Sequence, residues 1–186
     1  MKLITTTLIM LGLVASPSFA AGTSPTPAPQ VGTTAPTQMK CKTGEVVKTI
    51  RKKGRKPTKK CVKATAGIIP DGELYAQGYL LAKTGNYDWA LSVFDAITDK
   101  QNTDVLTMIG YSNRKAGRLE IAVSYYDQAL AMNPNYVRAR EYLGEGYVAA
   151  GRIDLAKLQL DEIANRAGTS SEEYIDLSKV IAAKSL

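Results

Sequence analysis

Residues 103–136 read TDVLTMIGYSNRKAGRLEIAVSYYDQALAMNPNY, and the stretch after them carries the same marks at the same spacing. Gly110 and Gly144 lie 34 residues apart, as do Gly117 and Gly151, Arg118 and Arg152, and Ala122 and Ala156. An earlier copy has Gly78, Gly85 and Ala90, offset by 32 from Gly110, Gly117 and Ala122. The two missing residues are expected between helices, near Thr98 to Thr103, where shortening disturbs least.

A glycine inside a helix costs about 1 kcal/mol relative to alanine. Its recurrence at 78, 110 and 144 therefore points to a second helix packed too closely to admit a side chain. Ala90, Ala122 and Ala156 are the small partners on that second helix, and Phe94, Tyr126 and Leu160 fill the space between units. Gly85, Gly117 and Gly151 stand where each first helix must end on a left-handed residue. The pattern predicts an all-α solenoid of three helix–turn–helix units, over residues 71–102, 103–136 and 137–168. Such a stack needs its last face covered. Residues 170–184 supply a capping helix: Ser170-Ser171-Glu172-Glu173 reads as a capping box. Tyr174, Leu177 and Ile181 form one apolar stripe, with Glu172, Asp176, Lys179 and Lys184 facing out.

These positions are those of the tetratricopeptide repeat, a helix–turn–helix unit of about 34 residues. The middle copy resembles that family through Leu106, Ile109-Gly110, Asn113, Gly117, Ala122, Tyr126, Ala129 and Pro134. The first offers Leu74, Gly78, Leu81, Gly85, Ala90, Phe94 and Ile97; the third offers Leu143-Gly144, Tyr147, Gly151, Ala156, Leu160 and Ile163. The resemblance implies a concave face lined by the first helices of successive units, where a protein or peptide partner sits. That face is expected to receive Tyr75, Tyr79, Thr107, Tyr111, Arg114, Arg138, Glu141, Tyr142 and Glu145, whereas Tyr147 falls on a packing position. Tyrosine and arginine are enriched at binding hot spots. Some family members clamp a terminal carboxylate with Lys and Asn, but Thr107, Tyr111, Glu141 and Glu145 occupy those positions, so no such clamp is expected. The Glu141/Glu145 pair suits a basic ligand stretch, including the chain's own basic segment.

That basic segment lies upstream. The formal net charge of +7 is unevenly placed. Residues 40–63 hold eleven Lys and Arg against Glu45 alone, while residues 64–186 are mildly acidic. Glu45 to Ile50 is β-prone, Lys53-Gly54-Arg55 supplies a turn, and Thr58 to Lys63 returns as a second strand. A disulfide-linked β-hairpin over residues 39–64 is expected, with Cys41 joined to Cys61. Two strands alone are marginal in water; closing a loop of this length adds roughly 3 kcal/mol in the chain-entropy model. Two uses compete for Lys48, Arg51, Lys52, Lys53, Arg55, Lys56, Lys59 and Lys60. They attach an anionic envelope polymer, a lipid headgroup surface or an acidic protein, or they form a solvated tip that keeps hairpins apart. Nucleic acid is not expected, since no aromatic lies within residues 40–63 to stack on bases.

The first twenty residues, MKLITTTLIMLGLVASPSFA, read as a signal peptide with a basic start, an apolar run from Leu3 to Val14 and small residues at the cleavage site. Twelve apolar residues fall short of the about 20 needed to span a bilayer, so no transmembrane anchor is expected after cleavage. With no cysteine near that site, lipid anchoring there is not expected either. Residues 21–38, rich in Pro, Thr, Ala and Gly, cannot bury enough apolar surface to fold and read as a disordered linker. Together these features describe an exported bacterial scaffold, periplasmic or secreted, in a setting that oxidises thiols. Catalysis is not expected. The chain has no histidine, its two cysteines are committed to a disulfide, and its carboxylates scatter over helical surfaces. No cofactor or metal is called for.

Overall fold

In the computed structural model, residues 40–184 are described; the proposed signal peptide and linker lie outside them. Two strands lead, β1 (Glu45–Ile50) and β2 (Thr58–Lys63). Seven helices follow: α1 (Asp71–Lys83), α2 (Tyr87–Asp95), α3 (Thr103–Lys115), α4 (Leu119–Met132), α5 (Val137–Ala149), α6 (Ile153–Ala167) and α7 (Glu172–Lys184). The helices pair as α1 with α2, α3 with α4 and α5 with α6, and α7 packs on the last pair. A three-unit solenoid with a terminal helix is therefore the architecture, as the periodicity predicts.

The glycines do what their spacing requires. A β-carbon at Gly78 would lie 2.5 Å from the Phe94 ring, and one at Gly110 would lie 2.6 Å from the Tyr126 ring. Both rings are fully buried. In the third unit the partner differs: a β-carbon at Gly144 would meet Leu177 of α7 at 2.5 Å. Leu160, at the position of Phe94 and Tyr126, is half-buried and packs against the same apolar cluster as Leu177. With no fourth unit to follow, the terminal helix inserts its own leucine into the notch. Gly117, between α3 and α4, has φ +83°, the left-handed value that ends the helix without a side-chain clash.

Two expectations need correction. The first unit's shortening falls on α2 itself, which has nine residues against 14 in α4, and not on the connection. The segment after α2 is held by the Asp71 carboxylate, which accepts from the Thr98 N–H and hydroxyl and from the Asp99 N–H. Those bonds from Thr98 draw the Asp71 carboxyl below its usual range. The second correction concerns α7. Its N-cap is Ser171, whose hydroxyl accepts from the Tyr174 N–H, so the third helical residue is a tyrosine and no reciprocal glutamate closes a capping box.

The hairpin forms from the two expected strands, with Val47 opposite Cys61 and Ile50 opposite Thr58. Cys41 and Cys61 are joined. It is not a free tip, however. Val46 is only 2% exposed and belongs to the core of the first repeats. Gln77 of α1 bonds the Val47 backbone, and the Trp89 indole donates to the Glu45 carbonyl. The hairpin is thus seated on the first unit, remote from Glu141 and Glu145. Docking of the basic hairpin into the groove, expected from charge sign alone, is not what the fold does.

Candidate functional site

The solenoid's first helices, α1, α3 and α5, present a stripe of residues four apart. On α1 these are Tyr79 and Lys83, on α3 Tyr111 and Lys115, and on α5 Arg138 and Tyr142. In a helix such spacing stacks side chains on one face. Together with Glu141 and Glu145 of α5, and Glu172, Glu173 and Asp176 of α7, they line a groove of about 430 Å3.

The groove has two electrostatic halves. Lys83 lies 4.8 Å from the Tyr111 ring centroid, 5.5 Å from that of Tyr142 and 5.8 Å from that of Tyr79. Its ammonium also donates to the Tyr142 hydroxyl at 3.2 Å. A cation inside such an aromatic enclosure is stabilised by the ring faces, while burial pulls its pKa down. Facing it, Glu141 is pushed up to about 8, chiefly by burial and then by Glu145, Glu173 and Asp176. This wall carries more negative charge than its own cations answer. Arg114 pairs with Glu145 deep between α3 and α5, and none of the ion pairs among the described residues engages Glu141, Glu173 or the groove-facing Glu172.

Six of the nine sequence-expected residues line the groove: Tyr79, Tyr111, Arg138, Glu141, Tyr142 and Glu145. Three do not. Thr107 is 1% exposed, enclosed because α3 is the middle helix with buried neighbours on either side. Arg114, with a side chain 9% exposed, is spent on Glu145 and on the flanks of Tyr111 and Tyr142. Tyr75 turns toward Phe94 and Tyr79. Sequence reasoning missed Lys83, Lys115, Glu172, Glu173 and Asp176. The two lysines were within reach, one helical turn beyond Tyr79 and Tyr111. Glu172 and Asp176 belong to the face expected to point outward, since nothing in the sequence says at what angle the last helix crosses α5.

On the hairpin, residues 51–60 are all exposed, and Lys48 is half-buried. Of the eight basic residues named above, none enters an ion pair among the described residues. No group of three metal-ligating side chains occurs among the described residues. No described helix is long and apolar enough to cross a membrane.

Residues 114–179 match the family model described as tetratricopeptide repeat. That segment of the chain carries tetratricopeptide repeats. Solved structures of similar fold include the first tetratricopeptide domain of Spaghetti (RPAP3) bound to an HSP90 peptide. It is 21% identical, with 62% of this chain and 94% of that chain covered, at a TM-score of 0.53. The type III secretion chaperone SycD of Yersinia enterocolitica, in complex with a peptide of the translocator YopD, is 20% identical. The match covers 63% of this chain and 92% of that one, with a TM-score of 0.53. PcrH in complex with the chaperone-binding region of PopB is 22% identical, covering 64% and 98%, with a TM-score of 0.53. At these identities the tetratricopeptide likeness is one of fold. No curated protein sequence matches the chain.

Proposed function

We propose that the protein is an exported, non-enzymatic scaffold whose tetratricopeptide groove holds a peptide segment of a partner protein bearing lysine or arginine. The observation that carries this reading is the polarised groove: Tyr79, Tyr111 and Tyr142 gather round Lys83, while Glu141, Glu172, Glu173 and Asp176 stand opposite. Aromatic rings give contact area at low entropic loss, and carboxylates fix the register of a cation. Structures of like fold hold peptides, which supports a peptide ligand here. The oxidised Cys41–Cys61 pair and the apolar N-terminus support a periplasmic or secreted setting.

A peptide array probed with the purified protein tests the groove. Captured sequences are expected to be enriched in Lys or Arg, and a Glu141→Gln/Asp176→Asn variant should bind them about twofold to thirtyfold more weakly, since each charge contact is worth about 0.2–1 kcal/mol. Capture with no preference for basic residues would refute this reading. Fractionation of the producing cell tests the localisation.

A second reading rests on the hairpin. Its unpaired, exposed cations make it a surface for an anionic envelope polymer or acidic protein. Retention on anionic cell-wall material should fall when Arg51, Lys52, Lys53, Arg55 and Lys56 are changed to Gln. Unchanged retention would leave the hairpin as a solvated tip.

A further inference from the structure

Where the hairpin leans on α1 it does not close completely. Between them runs a cleft of about 530 Å3, within the range of small-molecule sites. Its walls are mostly hydrocarbon, from Val47, Leu80, Leu81 and Trp89, and Leu80 is 38% exposed there. Lys40 and Lys59 stand on its border with Glu45 and Glu73, and the cationic tip of the hairpin lies beyond.

The chemistry of the walls selects among occupants. A peptide entering as an added strand needs backbone partners along the outer edge of β1. There the Glu45 carbonyl is already bonded by Trp89, and the N–H and carbonyl of Val47 are bonded by Gln77. A peptide backbone would therefore enter an apolar cleft with its own polar groups unmatched, at about 1–3 kcal/mol for each group left so. A hydrocarbon chain carries no such groups. Two lysines and two glutamates, Glu45 and Glu73, stand at the border, but the Glu45 carboxylate accepts from the Lys42 N–H of its own turn and the hairpin's other cations lie close by, so the favoured head group is an anion.

We propose that this cleft binds a single-chain anionic amphiphile, its acyl chain between Val47 and Leu80 and its head group at Lys40 and Lys59. The source to which the proposal commits is a free monomer, small enough for a cleft of about 530 Å3. The site is separate from the groove, so it stands whether or not a peptide binds there.

Trp89 is the only tryptophan of the chain and lines the cleft, so its emission reports occupancy. The full mature protein is titrated with dodecanoate below its micelle concentration. A saturable blue shift is expected, absent with butyrate and at least about tenfold weaker with dodecyltrimethylammonium, whose head group meets the lysines with the wrong sign. Leu80→Glu should abolish the shift. Lys40→Gln/Lys59→Gln should weaken it about tenfold, two solvent-facing charge contacts being worth roughly that much together. Circular dichroism confirms that both variants stay helical. Four results overturn the proposal: no shift, an equal shift with the cationic amphiphile, a shift with phosphatidylglycerol vesicles but not dodecanoate, or a shift set by protein concentration alone. The last would make the cleft a contact between copies of the chain.

Discussion

Gln77 uses both ends of its side-chain amide on one residue of the neighbouring strand: Nε2 donates to the Val47 carbonyl at 2.9 Å and Oε1 accepts from the Val47 N–H at 2.7 Å. The amide thus replaces one residue of a third strand. It pairs the outward edge of β1, which would otherwise be open to another chain, and it fastens the hairpin to the first repeat. Gln77→Ala leaves both Val47 groups without that partner. Two net hydrogen bonds correspond to about 1–3 kcal/mol. The expected result is fast amide exchange at Val47 with the α3–α6 amides unchanged. Uniform protection across both regions would show that Val46 burial alone holds the hairpin.

The disulfide acts on the same element from the other side. Cys41 and Cys61 are separated by 20 residues, a loop whose closure is worth roughly 3 kcal/mol in the chain-entropy model. Cys41→Ser/Cys61→Ser should therefore loosen residues 41–63 while the helical repeats melt nearly as before. Loss of the whole helical signal at the same temperature would mean that the hairpin is part of the repeats' folding unit.

Gly144 and Leu177 form a second testable pair, since a β-carbon on the glycine meets the leucine at 2.5 Å. Leu177→Ala deletes a fully buried side chain, at about 2–5 kcal/mol. Gly144→Ala overpacks the same point, at about 1–3 kcal/mol, partly offset by alanine's better helix propensity. Made together, the two should cost less than their sum, because the shortened leucine makes room for the methyl. Strict additivity in denaturant melts would place Leu177 away from Gly144.

The repeats were legible because their signal is a spacing of glycine and alanine, and spacing survives without knowledge of neighbours. The strands and the disulfide were legible for a similar reason, a β-prone run, a turn glycine and two cysteines. What the sequence hid was where whole elements meet. Gln77 and Trp89 look like ordinary helical positions until the hairpin is seen lying across them. Thr107 looks like a groove residue until α3 is enclosed by α1 and α5. That Leu177 and not Leu160 faces Gly144 was hidden too, because the angle of the last helix is a packing outcome, with no local residue that encodes it.

Glu141 gives the groove a pH dependence whose sign can be worked out. Burial and the neighbouring Glu145, Glu173 and Asp176 raise its carboxyl to about 8, from an ordinary value of 4.5, against an opposing pull from Lys83. Between those values the folded state binds a proton that the unfolded chain does not, so stability from this group is present at low pH and is lost as pH rises toward 8. Glu141→Gln should accordingly raise the melting temperature at pH 8 and change it little at pH 5. A basic peptide reverses the balance, because a cation beside Glu141 favours its ionised form. Binding near pH 7 should therefore release a fraction of a proton, about a quarter for a contact worth about 1 kcal/mol, and affinity should strengthen as pH rises from 6 to 9. Calorimetry in buffers of different ionisation enthalpy measures that release directly. Proton uptake, or none in wild type and Glu141→Gln alike, would show that the ligand's cation does not reach this carboxylate.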